Sequence, residues 1–97
     1  MRKITQQAVE AFPNGERFNK GNTSVIIDAD TWKLCLHGNC IARIDSYGMA
    51  VNPQGYTTAT TKERLNGLPN VSIKQRNFEW YLNDSKESMC MNDWTYV

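Results

Sequence analysis

The sequence predicts an α+β domain. An antiparallel sheet of about five to six strands, a meander plus a C-terminal hairpin, carries an N-terminal helix and a short second helix on one face. Three observations lead there. Residues 4–12 hold an apolar helical stripe, residues 23–37 hold two successive segments of strand character, and Thr60 to Asn83 reads as a capped helix, a stop and a hairpin. At 97 residues the chain supports one modest core and is read as a single domain, residues 1–97.

In the first helix Ile4, Ala8, Ala11 and Phe12 share one stripe, with Thr5 as N-cap and Pro13-Asn14-Gly15 as the stop. A polar loop with Phe18, Lys20, Gly21 and Asn22 follows. Thr23 to Asp28 is rich in β-branched residues and turns at Ala29-Asp30 into a second strand, Thr31 to His37. Alternation there sets Trp32, Leu34 and Leu36 on one face and Lys33, Cys35 and His37 on the other. Gly38-Asn39 is read as a two-residue turn, because glycine accepts the positive φ such turns require, and Cys40 to Asp45 returns as the third strand.

Ser46-Tyr47-Gly48 forms the next turn, before a short strand at Met49 to Val51 and a break at Asn52-Pro53-Gln54-Gly55. Tyr56 to Ala59 is a short strand or a loop. In the second helix, Thr61 to Asn66, Thr60 and Glu63 have capping-box spacing. Leu65 faces inward, Gly67 is the left-handed C-terminal residue and Pro69 prevents continuation. Val71, Ile73 and Gln75 alternate, Arg76-Asn77 turn, and Phe78, Trp80 and Leu82 alternate on the return strand. Met89, Met91, Trp94 and Tyr96 are too many large apolar groups for a disordered end, so residues 84–97 are expected to pack as a last strand or a wrap across the sheet.

Composition narrows the function. Apolar residues at 40% and charged ones at 22% are those of a globular chain. Eleven Lys and Arg against ten Asp and Glu exclude a bulk polyanion binder or an acidic DNA mimic. The charge is unevenly spread: Arg2, Lys3, Arg17 and Lys20, then Lys62, Arg64, Lys74 and Arg76, make two basic segments, whereas Asp84, Glu87 and Asp93 make the tail acidic. No apolar run reaches the roughly 20 residues of a membrane span, and the N-terminus lacks a signal-peptide core. A cytoplasmic protein without a membrane partner is therefore expected. The odd set Cys35, Cys40 and Cys90 predicts reduced thiols over a disulfide framework.

The sharpest chemical grouping is Cys35, His37 and Cys40. With the turn at Gly38-Asn39, all three project from one face within reach of one zinc ion, and Cys90 is a candidate fourth ligand. The spacing lacks a Cys-x-x-Cys knuckle, and buried thiols are commonplace in cores, so the thiols are read as packing groups and no metal or cofactor is expected. A Cys–His pair at i and i+2 on one strand rarely aligns for proton transfer, which argues against a hydrolase. Lys74, Arg76, Phe78, Trp80 and Tyr81 interleave cations with aromatics, as a single-strand nucleic-acid platform would. Phe78, Trp80 and Leu82 are nevertheless read as core. Asp28 and Asp30 are read as turn formers, and Gly55 belongs to no phosphate loop. No enzyme class is supported.

The segments Lys3-Ile4-Thr5-Gln6-Gln7-Ala8-Val9-Glu10-Ala11-Phe12, Gly21-Asn22-Thr23, Leu36-His37-Gly38-Asn39, Thr61-Lys62-Glu63-Arg64-Leu65-Asn66-Gly67-Leu68-Pro69-Asn70-Val71 and Trp80-Tyr81-Leu82-Asn83 together resemble a family of small bacteriophage-encoded proteins. The chain departs from that family's pattern after Asn83, where a Gly- and Trp-rich ending follows in the family. The resemblance implies no catalytic or binding residues. It implies a role of the kind small phage proteins play in host takeover, blockers of bacterial defence such as anti-CRISPR proteins included. The expected function is a non-catalytic accessory protein that inhibits or redirects a host protein by steric occlusion. Arg64, Lys74, Arg76 and Tyr81 are its expected anchors, since they are predicted to project away from the apolar stripe. The alternatives are a nucleic-acid or nucleotide binder using the basic segments, and a self-associating module whose tail completes a neighbour's sheet edge.

Overall fold

The computed structural model describes residues 3–55, 58–77, 79–83, 85–89 and 92–97. Helix α1 (Lys3–Ala11) is followed by strands β1 (Phe18–Lys20), β2 (Thr23–Asp28), β3 (Thr31–Leu36), β4 (Asn39–Asp45) and β5 (Gly48–Val51). Helix α2 (Ala59–Asn66), strands β6 (Ile73–Arg76) and β7 (Glu79–Leu82), and the terminal strand β8 (Thr95–Tyr96) complete the order. β1 to β5 pair in sequence as an antiparallel meander and β8 adds to β5, giving the order β1-β2-β3-β4-β5-β8. β6 and β7 form a two-stranded sheet of their own. The α+β class and the meander follow the sequence reading, while the C-terminal hairpin stands apart from the main sheet.

The register sorts side chains onto two faces. Val25 lies opposite Leu34, Leu34 opposite Ala42 and Ala42 opposite Val51, so these four line up across one face. Beneath α1 they join Ala8, Phe12, Leu36 and Ile41 in the core. The predicted stripe of α1 holds, with Ala8 and Phe12 fully buried. Thr5 is inside the helix and buried rather than capping it. The predicted polar loop at residues 18–20 is strand β1, because the Gly21-Asn22 turn brings Lys20 opposite Thr23 and Phe18 opposite Val25. Gly21 takes φ +60°, which favours glycine at the first position of such a turn.

The β3–β4 turn is one residue earlier than read from the sequence. His37 and Gly38, at φ +51° and +81°, form the turn, and Leu36 pairs with Asn39. The ladder then shifts: Cys35 faces Cys40 while Leu34 faces Ala42, so Ile41 is an extra residue in β4. This bulge lets Ile41 and Ala42 both be buried, which plain alternation forbids. α2 also starts earlier than predicted. Thr58, not Thr60, is the N-cap, its Oγ1 accepting from the Thr61 N–H at 3.2 Å. Gly67 ends the helix with right-handed backbone at φ −75°, and Asn70 takes the left-handed residue at φ +62°.

Gly15, after α1, has φ +67°, and a β-carbon there would stand 2.9 Å from the Trp32 ring. Gly15→Ala is expected to lower stability by about 1–2 kcal/mol from the left-handed backbone alone. A displaced Trp32 adds to it. Thermal unfolding monitored by tryptophan fluorescence checks this, and an unchanged melting temperature would contradict it.

The hairpin is fastened to α2 by side-chain amides that imitate a neighbouring strand. Asn66 Oδ1 accepts from the Ile73 N–H at 2.6 Å, while its Nδ2 donates to the Ile73 carbonyl at 3.3 Å. At the same open end Asn83, just after β7, ties that strand to the loop after α2: its Oδ1 accepts from the Ser72 N–H and its Nδ2 donates to the Asn70 carbonyl, both at 2.8 Å. Trp80 and Leu82 are buried, and the Met89 N–H donates to the Trp80 carbonyl at 2.8 Å, drawing the tail across the hairpin. Of the two alternatives read for the tail, the last strand forms, as β8 beside β5.

Candidate functional site: the outer face of the β6–β7 hairpin

Alternation along β6 and β7 builds this face. Ile73 pairs with Leu82 and Gln75 with Trp80 on the side toward the core, so Lys74 opposite Tyr81 and Arg76 opposite Glu79 occupy the other side. Lys74 and Arg76 are exposed and Tyr81 is half-buried. The Arg76 guanidinium lies over the Tyr81 ring at 4.8 Å from its centroid, a cation–π stack that holds both groups in place. The Tyr81 hydroxyl donates to Glu79 Oε2 at 3.1 Å. Lys74, Gln75, Arg76, Tyr81, Ser85 and Lys86 line a cleft of about 410 Å³. Lys62 of α2 donates to Gln75 Oε1 at 3.2 Å.

Three of the four expected anchors, Lys74, Arg76 and Tyr81, are thus together. Arg64 is not with them. Its predicted projection from the helix is corrected: it is 1% exposed, with Nε donating to Thr23 Oγ1 at 3.2 Å and Nη1 to Glu63 Oε1 at 2.7 Å and to Thr5 Oγ1. The reason is helical phase. Thr61, Arg64, Leu65 and Leu68 recur at i, i+3, i+4 and i+7, and all are buried. That spacing is visible in the sequence, where Leu65 is read as facing inward and Arg64 as projecting away from the apolar stripe. Lys86 was missed because the tail was weighed by its net acidity. Phe78, expected in the core, lies outside the described residues. The other basic segment is displayed elsewhere: Arg17 lines a groove with Asn19, Ser24 and Ile26, and Lys20 donates to Gln7 Oε1 at 3.4 Å.

The sulfur-imidazole grouping dissolves on folding. His37 sits in the turn, its Nε2 3.4 Å from Asn22 Nδ2, and not on the strand face with Cys35 and Cys40. Among the described residues no three His, Cys, Asp or Glu side chains are placed to hold a metal ion, and Cys90 lies outside those residues. A second cleft, of about 380 Å³, lies between the β3–β4 turn and the start of α2, where His37, Asn39, Thr58, Thr60 and Thr61 surround Leu36 and Ile41.

On the helix-free face of the main sheet, the Arg43 guanidinium lies 4.5 Å from the Trp94 ring centroid and 6.0 Å from that of Tyr96. The Tyr96 hydroxyl donates to Asp45 Oδ2 at 2.8 Å. Arg43 Nε is 3.4 Å from the same oxygen, an ion pair without hydrogen-bond alignment, and that nitrogen is buried with no hydrogen-bond partner. The Tyr47 N–H first, then the Tyr96 hydroxyl and the charge of Arg43, hold the Asp45 carboxyl below its ordinary range. Apart from that nitrogen the cluster finds its partners within the chain, and it clasps β8 to β4, so it reads as structural.

The fold and this face define a small α+β protein that presents a basic and aromatic hairpin from a helix-backed sheet. No helix among the described residues is long and apolar enough to cross a membrane. The chain belongs to the Kyanoviridae Gp96 protein family, a bacteriophage protein family, which it matches over residues 1–96. Comparison with curated proteins and with solved structures returned no match.

Proposed function

We propose that this phage protein is a non-catalytic accessory factor that binds a host protein and inhibits or redirects it, with a component of a bacterial defence system as the kind of target its phage origin favours. The contact surface is the outer face of the β6–β7 hairpin. The observation that carries this reading is the gathering of Lys74, Arg76, Tyr81 and Lys86 around one cleft on a hairpin already fastened to α2. Arg and Tyr are the residue types that most often anchor interfaces, and a stacked Arg–Tyr pair loses little further freedom when it is covered. Arg76 and Lys86 beside the cleft favour an acidic patch on the partner.

The test is capture of host proteins by the tagged chain and by a Lys74→Ala/Arg76→Ala/Tyr81→Ala variant. The wild type is expected to hold a stoichiometric partner. With the Arg76 and Tyr81 truncations worth about 2 kcal/mol each, the triple variant is expected to bind roughly a thousandfold more weakly. A partner held equally by the triple variant would rule out this face.

Nucleic acid is the second reading, since cations beside an aromatic suit phosphate and a stacked base. The Glu79 carboxylate bonded to Tyr81, and the guanidinium already covering that ring, favour a protein partner. A steep fall of affinity with salt, in proportion to released counterions, would reverse that preference.

A further inference from the structure

We propose that Cys35 and Cys40 are a redox pair that a hydroperoxide converts to a reversible cross-strand disulfide. The two are directly opposed in the β3–β4 ladder, and both are free thiols. Their place relative to the turn is what matters. In a hairpin closed by a two-residue turn, the flanking pair, here Leu36 and Asn39, exchanges hydrogen bonds, and the next pair outward is the non-hydrogen-bonded kind. Such pairs bring their α-carbons to about 4.5 Å with side chains at their closest, inside the roughly 4.4–6.8 Å window of a disulfide. The bulge at Ile41 lies on the side away from the turn, so it leaves this pair in register.

The two sulfurs have different surroundings, which divides the labour between them. Cys40 is half-buried and is the one an oxidant reaches, whereas Cys35 is 1% exposed. Burial first, then contact with Cys40, pushes the Cys35 thiol up to about 12, with Lys33 acting in the opposite sense. Its enclosure keeps Cys35 from the oxidant and leaves it for the second, resolving step.

Oxidation begins when Cys40, having lost its proton to solvent, attacks the terminal oxygen of the hydroperoxide. The O–O bond breaks, the alcohol leaves after taking up a proton, and Cys40 becomes a sulfenic acid. Cys35 Sγ then attacks Cys40 Sγ. The S–O bond breaks, and hydroxide departs with the Cys35 proton as water. Two thiols and one hydroperoxide thus give one disulfide, one alcohol and one water, and two electrons pass from sulfur to oxygen. The link would tie β3 to β4 beside Leu36, Asn39 and Ile41, which line the smaller cleft, on a different sheet from the proposed binding face.

The experiment is intact-mass and peptide-mapping spectrometry of the full chain after exposure to hydrogen peroxide, with and without subsequent glutathione. The expected result is a monomer lighter by two hydrogens, the link mapped to Cys35–Cys40 and reversed by glutathione. Cys90→Ser is expected to leave this unchanged and Cys40→Ser to abolish it. Mapping on the wild-type chain decides the matter even if a cysteine variant folds poorly. A link that includes Cys90, accumulation of Cys40 sulfinic acid with Cys35 still open to alkylation, or an unchanged mass would each overturn the proposal.

Discussion

Arg64→Ala is expected to remove about 3–5 kcal/mol of stability, the cost of breaking a buried ion pair from one side. The guanidinium reaches Thr5 in α1, Thr23 in β2 and its neighbour Glu63 in α2, so one side chain ties three elements together. Truncation leaves the Thr23 hydroxyl short of a donor, takes a cation from a carboxylate whose side chain is only 28% exposed, and opens a cavity where the side chain packed. Since small domains are stable by only about 5–15 kcal/mol, a large part of the fold's margin rests on this position. Urea denaturation reads the effect as a lower midpoint at unchanged slope. Arg64→Met with Glu63→Gln, which removes both charges and keeps much of the volume, is expected to recover most of the loss. A change below about 1 kcal/mol for Arg64→Ala would mean that the buried network is not formed. Alanine at Lys74, Arg76 and Tyr81 is expected to spare folding. Loss of binding by an Arg64 variant would report unfolding and not a contact.

Trp80→Ala is the second large effect, expected at about 3–5 kcal/mol for a fully enclosed aromatic. Trp80 is 1% exposed, packs in the core with Ile73, Leu82 and Met89, and offers its carbonyl to the Met89 N–H. An isolated two-stranded hairpin is marginal in water, so β6 and β7 depend on this anchor and on the Asn66 amide for their position. The damage should be local before it is global. Backbone amides of β6 and β7 are expected to lose hydrogen-exchange protection ahead of those in β2 to β4. Equal loss across both sheets would show that hairpin and meander unfold as one unit. Partner binding is expected to fall with the hairpin's order even though Trp80 faces away from the cleft.

Much of this was legible along the chain. Ile4, Ala8, Ala11 and Phe12 fall on one helical stripe, of which Ala8, Ala11 and Phe12 are buried, and the β-branched residues of Thr23 to Asp28 with the alternation of Thr31 to His37 declared a hairpin. The Ala29-Asp30 turn, the Pro69 stop and the buried alternation of Ile73, Trp80 and Leu82 were equally plain. Alternation also placed Lys74, Arg76 and Tyr81 on the free side of their hairpin. These are local matters, decided by periodicity and backbone stereochemistry within a few residues.

What the chain alone left open were choices between local options of nearly equal merit. A glycine at position 38 serves a turn at His37-Gly38 or at Gly38-Asn39. The ladder chose the first, pairing Leu36 with Asn39 and burying Ile41 through a bulge, and so took His37 away from the two thiols and set those thiols against each other. Residues 18–20 become a strand only because β2 offers them an edge. Arg64 goes inward because Thr5, Thr23 and Glu63, distant in sequence except for the last, supply the partners that make a buried guanidinium tolerable. By itself, then, the sequence determined the α+β class, most of the elements and the exposed side of the hairpin, through local periodicity and turn stereochemistry. Only the tertiary structure decided which cation is buried, which sulfur meets which and which residues share a cleft, because those depend on desolvation and on partners brought from far along the chain.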